Sequence, residues 1–186
     1  FQAPVFDEQG KLESFSQVAS PQSEPPFLIN GVRRPPLVMR PGQVERWRLV
    51  NAGIANYLNL SLQSHALHLF SWDCCPRESL HTYADQDAQG LVIAPGNRAD
   101  VLIQAGAAGQ YVLRSLPYDM GNTDAQGEPH LTSDDILAYI VVEGAPLEMA
   151  LPSKPLPVPP ALSHITDAEF ARSGGVRRNI VLRSVF

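Results

Sequence analysis

The sequence predicts an all-β domain, a sandwich or barrel followed by a Pro-rich C-terminal linker. Three observations carry this. Seventeen of 186 residues are Pro, near twice the usual share of roughly 5%, and Pro cannot sit inside a helix without breaking its hydrogen-bond ladder. From residue 27 onward, short β-prone runs alternate with Gly, Pro and Asn at regular spacing. In Tyr57-Leu-Asn-Leu-Ser-Leu-Gln63 every second residue is Leu, which places Leu58, Leu60 and Leu62 on one face of a strand, whereas a helix would scatter them.

Residues 1–26 are polar and punctuated by Gly10, Pro21, Pro25 and Pro26, the composition of an extended arm with at most one edge strand. Strands are expected over 27–30, 36–39, 44–50, 57–62, 66–72, 91–94, 99–104, 109–116 and 136–142. In the run 44–50, Trp47 and Leu49 share one face and Arg46 and Arg48 the other, so the strand buries an aromatic ring and displays two guanidiniums. The turns Arg40-Pro41-Gly42 and Ala94-Pro95-Gly96 put Pro where φ is fixed and Gly where the chain bends. Residues 120–135 are polar and aperiodic, a long loop. The stretch 146–160 carries six prolines and reads as a semi-rigid linker. Thr166-Asp-Ala-Glu169 has capping-box spacing and starts a helical turn through Ala171. A last strand is expected over 179–186. The organisation is therefore a domain over 1–145, a linker over 146–165, and, over 166–186, the start of a following domain or a swapped tail that pairs two copies into a homodimer.

Composition excludes several partners. With 14 Lys+Arg against 19 Asp+Glu, the net charge of −5 leaves no cationic surface for a run of phosphates, so neither nucleic acid nor an anionic membrane is expected. No uncharged apolar run reaches the roughly 18 residues of a membrane span. Phe1-Gln2-Ala3-Pro4 shows neither an initiator Met nor the charged and apolar regions of a signal peptide, and reads as the start of an excised or processed piece.

Leu28-Ile-Asn-Gly31, Arg40-Pro-Gly-Gln43 leading into Glu45-Arg-Trp-Arg-Leu-Val-Asn-Ala-Gly53, Ser64-His65-x-Leu67-x-Leu69 running to Asp73, and Ala94-Pro-Gly-Asn-Arg-Ala-Asp-Val-Leu102 occur in that order over about half the chain. In this block the sequence resembles the central cupredoxin-type domain of three-domain, laccase-like multicopper oxidases. More loosely, Phe6-Asp-Glu-Gln-Gly10 resembles the start of that domain and Arg178-Asn-Ile-Val-Leu182 the opening strand of the third. One departure is Asp73-Cys74, where the family usually has Asp-Gly and glycine would permit positive φ.

The resemblance implies a Greek-key sandwich, copper held only in the first and third domains as partners, and a periplasmic or secreted parent. In that parent a type 1 copper takes single electrons from substrate and a trinuclear cluster reduces dioxygen to water, while the central domain spaces the other two and walls part of the substrate cleft. The His-x-His pairs and the Cys flanked by histidines that such copper sites need are absent here. Two alternatives share the pattern: the central domain of a copper-free periplasmic relative serving in binding or cell division, and an unrelated immunoglobulin-like binding module.

His65 and His68 are three apart, so on a strand their rings point to opposite faces and cannot share an ion. His81, His130 and His164 stand alone in loop-like sequence. Cys74 and Cys75 offer soft thiolates to Cu(I) but have no nearby His or second Cys pair, and neighbouring cysteines seldom close on each other. Asp85/Asp87 and Asp134/Asp135 are paired carboxylates explained by solvation or Asx turns. Arg46, Arg48, Asp73, Arg98 and Asp100 read as structural pairs that fix loop ends. No serine-hydrolase elbow, phosphate loop or His-Glu-x-x-His motif occurs. No catalytic, cofactor-binding or metal-binding residue is therefore assigned, and the fragment alone is expected to be inactive. Only three Met residues, widely separated, argue against a Met-rich copper-loading insert and a dedicated cuprous oxidase.

Overall fold

The computed structural model describes residues 1, 2, 4, 9–12, 27–54, 56–123, 127–160, 165–178 and 180. Two sheets stack into the sandwich. The first holds β3 (Pro36–Met39), β13 (Asp135–Val142), β10 (Gly109–Ser115), β5 (Leu58–Leu62) and β8 (Leu91–Ile93) in that spatial order. The second holds β4 (Val44–Val50), β9 (Arg98–Gln104), β6 (Ala66–Trp72) and β7 (Cys75–Ala84). Every pairing within them is antiparallel except β3 with β13, and the chain passes repeatedly between sheets, as a Greek-key sandwich requires.

The alternation in β5 is borne out: Leu58, Leu60 and Leu62 are 0%, 1% and 1% exposed. They face Leu67, Leu69, Val101 and Ile103 of the second sheet in one hydrophobic core, with Trp47 packed at its margin while Arg46 and Arg48 point to water. The polar face of β5 is buried too. Asn59 donates from Nδ2 to Pro117 O at 3.2 Å, and Ser61 Oγ donates to Asp85 Oδ1 at 3.0 Å, so the loops around 85 and 117 cover this face. A Cβ added at Gly90 would lie 2.1 Å from Leu60 O, which is why this closing loop needs glycine.

Several expectations are corrected. The strand over 27–30 is a hairpin of two-residue strands, β1 (Leu28–Ile29) and β2 (Val32–Arg33), because Asn30 and Gly31 both take positive φ, 51° and 81°, in the manner of an Asn-Gly hairpin turn. The stretch 120–135 is no open loop: β11 (Asp119–Thr123) pairs with β12 (Pro129–Leu131). β7 was not expected at all, since Pro76, Arg77 and Glu78 break any alternation. Between Leu69↔His81 and Ser71↔Pro76 the β6–β7 register slips, leaving residues 77–80 bulged out. On the β9 side Leu69 pairs with Val101 and Ser71 with Asp100, so Phe70 is an extra residue. That bulge reverses the alternation and turns Trp72 toward the core beside Ala99.

Residues 146–160 form no strand, yet they are bound to the body rather than held off it. Arg40 Nε donates to Ala145 O at 2.7 Å and Leu147 N to Pro41 O at 2.8 Å. Gln104 Nε2 donates to Met149 O at 2.7 Å, and Leu156 N donates to Glu78 O on the β7 bulge at 2.8 Å. Gly42 holds φ of 74° where Leu147 O would lie 2.1 Å from any Cβ. Beyond this strap, Thr166 caps α1 (Asp167–Arg172) with the full capping box to Glu169. The strand expected over 179–186, and with it the dimer it would form, lies outside the described residues apart from an exposed Ile180; so does most of the arm over 1–26. No helix among the described residues is long and apolar enough to cross a membrane.

Leu60→Ala is expected to cost about 2–5 kcal/mol through lost burial and a residual cavity. Gly90→Ala should cost about 1–3 kcal/mol or more, because β5 itself must move. Urea unfolding of both variants measures this, and an unchanged midpoint for either would contradict the packing described.

Candidate functional site

The motif block converges on one end of the sandwich, where three loops are stapled by Asn51, Asp73 and Asn97. Asn51 closes β4 and is 1% exposed. Its Nδ2 donates to Asn56 O at 2.8 Å and to Ile93 O at 2.9 Å, while its Oδ1 accepts from Gly53 N at 3.0 Å. Its backbone N donates to Asn97 O and its carbonyl accepts from Gly96 N. Asn97 Nδ2 donates to Asp73 Oδ2 at 2.8 Å, and Asn97 Oδ1 accepts from Ala94 N at 3.1 Å. Asp73 Oδ1 accepts from Arg98 N at 2.8 Å, with the Arg98 guanidinium 3.6 Å away. The Asn-Ala-Gly, Asp and Ala-Pro-Gly-Asn-Arg motifs are thus parts of one hydrogen-bonded scaffold.

Asp73 and Cys74 form the tip of the β6–β7 hairpin with φ of 46° and 69°. The positive φ for which glycine is suited is therefore kept by a cysteine, a conformation that disfavours a Cβ. Cys74 and Cys75 are both free and exposed. Arg98 Nη2 lies 3.8 Å from Cys74 Sγ, beside a hollow of about 300 Å³ lined also by Arg48, Ser71 and Asp100. This contact with Cys74, then the charge of Asp73, raises the Arg98 guanidinium above its ordinary range.

On the outer face of the second sheet, Asp100 accepts from Arg46 Nη2 at 2.5 Å and lies 3.5 Å from Arg48 Nε. Arg46 also stacks over Phe70, 5.2 Å from the ring centroid. These arginines and aspartates pair as the sequence suggests. The carboxylate pairs do not act together. Asp85 accepts from Ser61 Oγ and from Ser64 N at 2.9 Å, while Asp87 accepts from Ala84 N at 2.7 Å in a local turn. Asp134 and Asp135, for which the sequence suggests solvation or Asx turns, instead bind arginines: Asp134 the Nε and Nη2 of Arg114, and Asp135 the Nη2 of Arg34 at 2.9 Å.

Two of the histidines are occupied by structure, His65 and His68. Gly106 N donates to His65 Nε2 at 3.0 Å, so Nδ1 carries the ring proton and donates to Gln63 O at 2.7 Å. His65 therefore ties the β5–β6 turn to the β9–β10 turn, with its ring edge on Tyr111 at 4.4 Å between centroids. His68 Nδ1 bonds Thr82 Oγ1 at 2.9 Å, and burial lowers its pKa below the ordinary 6.5. His81 is exposed against Tyr83. The side chain of His130 and all of His164 fall outside the described residues.

This donor set does not fit copper: both His65 nitrogens are bonded to backbone, Cys74 faces a guanidinium that repels a cation, and no group of three or more His, Cys, Asp or Glu converges among the described residues. Asn51 and Asn97, the two side chains that organise this end, sit within the sequence motifs without standing out from their neighbours. Nothing local in the sequence marks either as buried.

The multicopper oxidase family matches residues 7–139. A laccase from Neurospora crassa is 28% identical over 116 residues, covering 57% of this chain and 18% of that protein. Among solved structures, a multicopper oxidase from Campylobacter jejuni, described as a metallo-oxidase, is 30% identical with a TM-score of 0.54, over 74% of this chain and 27% of its own. The McoA multicopper oxidase of Aquifex aeolicus superposes with a TM-score of 0.66 over 89% of this chain and 34% of its own, at 16% identity, a likeness of fold alone. The chain thus spans from under a fifth to about a third of the length of these relatives.

Removing the Asn51 carboxamide strands the buried carbonyls it serves, so Asn51→Ala is expected to lose about 2–3 kcal/mol in urea unfolding. Asn51→Asp, which keeps the shape but not the donors, should lose a similar amount. For His68, the folded state binds fewer protons than the unfolded chain below pH 6.5. Its contribution is complete above that pH and is lost as pH falls, so His68→Gln should flatten the stability–pH slope on the acid side of 6.5.

Proposed function

The chain belongs to the multicopper oxidase family, and on that premise we propose that it is the central, copper-free domain of a laccase-like oxidase. The parent enzyme couples one-electron oxidation of a substrate to reduction of dioxygen to water, in the periplasm or outside the cell. Within it this domain spaces the first and third cupredoxin domains, which hold the copper, and walls part of the substrate cleft. The observation that carries this reading is the use to which the family motifs are put. Asn51, Asp73 and Asn97 are consumed in holding loops together, His65 in joining two turns, and no ligand set is left over among the described residues.

Family membership removes the unrelated immunoglobulin-like module from consideration. The copper-free relative shares every feature of this domain, and the flanking sequence of the parent separates it: His-x-His pairs there support an oxidase, and their absence would make the parent a binding protein.

The isolated chain, incubated with Cu(II) and desalted, is expected to retain no stoichiometric copper, to show no blue absorption band, and to oxidise phenolic dyes no faster than a metal-only control. Stoichiometric blue copper or turnover above that control would overturn the assignment.

A further inference from the structure

The hollow of about 300 Å³ at the β6–β7 tip brings a thiol, a hydroxyl and two guanidiniums to one surface, from Cys74, Ser71, Arg48 and Arg98. Ser71 lies opposite Asp100 in the pairing of β6 with β9 and is 8% exposed, and its hydroxyl has no hydrogen-bond partner among the described residues. A buried hydroxyl left in this way holds an unmet donor at the wall of the hollow.

The guanidiniums have spare capacity as well. Arg46 takes Asp100 at 2.5 Å, whereas Arg48 Nε stays 3.5 Å from the same carboxylate. Arg98 Nη1 lies 3.6 Å from Asp73 Oδ1 and 3.4 Å from Gly96 O. These distances exceed the roughly 2.7–3.2 Å of a good N–H···O bond, and a guanidinium carries several donors in a fork that fits a carboxylate. The ion pairs here set Arg46, Arg48 and Arg98 against Asp73 and Asp100, one positive charge in excess on a chain whose net charge is −5.

Cys74 adds a nucleophile to this anion receptor. It is free and exposed, with Sγ 3.8 Å from Arg98 Nη2, so the sulfur faces a charge opposite to that of an attacking thiolate. Cys75 is also free and exposed but does not line the hollow. Neighbouring Cα atoms stand about 3.8 Å apart across a trans peptide, short of the roughly 4.4 Å that a relaxed disulfide needs. Cys75 is therefore badly placed to displace a group once it is joined to Cys74.

We propose that Cys74 is a site of S-thiolation by small anionic disulfides, whose carboxylate sits in the hollow on Ser71, Arg48 and Arg98. In the step, the Cys74 thiol gives its proton to solvent and Sγ attacks one sulfur of the disulfide. The Sγ–S bond forms as the S–S bond of the reagent breaks, and the second half departs with the electron pair as a thiolate that takes up a proton. Cys74 is oxidised and the departing half reduced.

At neutral pH the chain is treated separately with dithiodipropionate, a dianion, and with cystamine, a dication of similar size, and adducts at Cys74 and Cys75 are followed by peptide mass spectrometry. Each rate is divided by that of the same cysteine in concentrated urea, which removes the intrinsic reactivity of the reagents. Folded Cys74 should then prefer the dianion by at least about tenfold, and Cys75 by much less. Arg48→Gln and Ser71→Ala should each cut the preference at Cys74 by several-fold. Neither touches the bonds among Asn51, Asp73 and Asn97, and an unchanged far-ultraviolet spectrum ties the loss to the hollow. Equal normalised rates for the two reagents, an equal preference at Cys75, or a preference untouched by both variants would overturn the proposal. Copper content and dye oxidation enter none of these readouts, so this site and the oxidase reading fail separately.

Discussion

The sandwich depends on one buried carboxamide. Asn51 ends the edge strand of one sheet and donates to Ile93 O at the end of β8, the edge of the other. A polar group buried at 1% exposure must find all its partners in protein, and a missing one costs about 1–3 kcal/mol. Asn51 finds three with its side chain and two with its backbone, in the β4–β5 loop and at the β8–β9 connection. Those loops cannot drift apart without stranding a donor or acceptor, so the requirement to satisfy one side chain fixes the spacing of the two sheets at this end. Asp73 and Asn97 extend the constraint to the hairpin tip.

The opposite end is held by a second polar device. His65 bridges the β5–β6 and β9–β10 turns, while Gln43 Nε2 and Trp47 Nε1 each donate to one oxygen of Glu45. The strap from Ala145 to Leu156 then binds the β3–β4 turn, the end of β9 and the β7 bulge. It turns a Pro-rich stretch into an outer layer of the domain. Polyproline-like backbone has no internal hydrogen bonds and few conformations to lose, so laying it on the body carries a small entropic cost.

A domain of this kind keeps the architecture of its family while directing its polar side chains to scaffolding. Side chains able to ligate a metal are present, and four of them are engaged elsewhere: His65 by two backbone groups, His68 by Thr82, Asp73 by two loops, Asp100 by two arginines. Tied loop ends suit the spacing role proposed for this domain, because loops held at both ends transmit position rather than absorb it.

The class of fold, most of the strands, the inward set Leu58, Leu60 and Leu62, the two-faced β4 and the capping box at Thr166 were all legible before folding, because each is a local pattern that a single segment expresses alone. The pairing of Arg46 and Arg48 with Asp100 was legible for the same reason, since alternation puts charges on one face. Tertiary structure alone decided the rest. The extra residue at Phe70, which turns Trp72 inward, and the slip at residues 77–80 exist only in the register between strands. β7 lacks any alternation and is a strand because β6 offers it an edge. The β11–β12 hairpin and the docked strap are likewise made by hydrogen bonds between distant residues. Asn51, Asn97 and Gly90 look like ordinary turn residues. What makes each indispensable is a backbone atom brought beside it by another part of the chain, and no local periodicity encodes that distance.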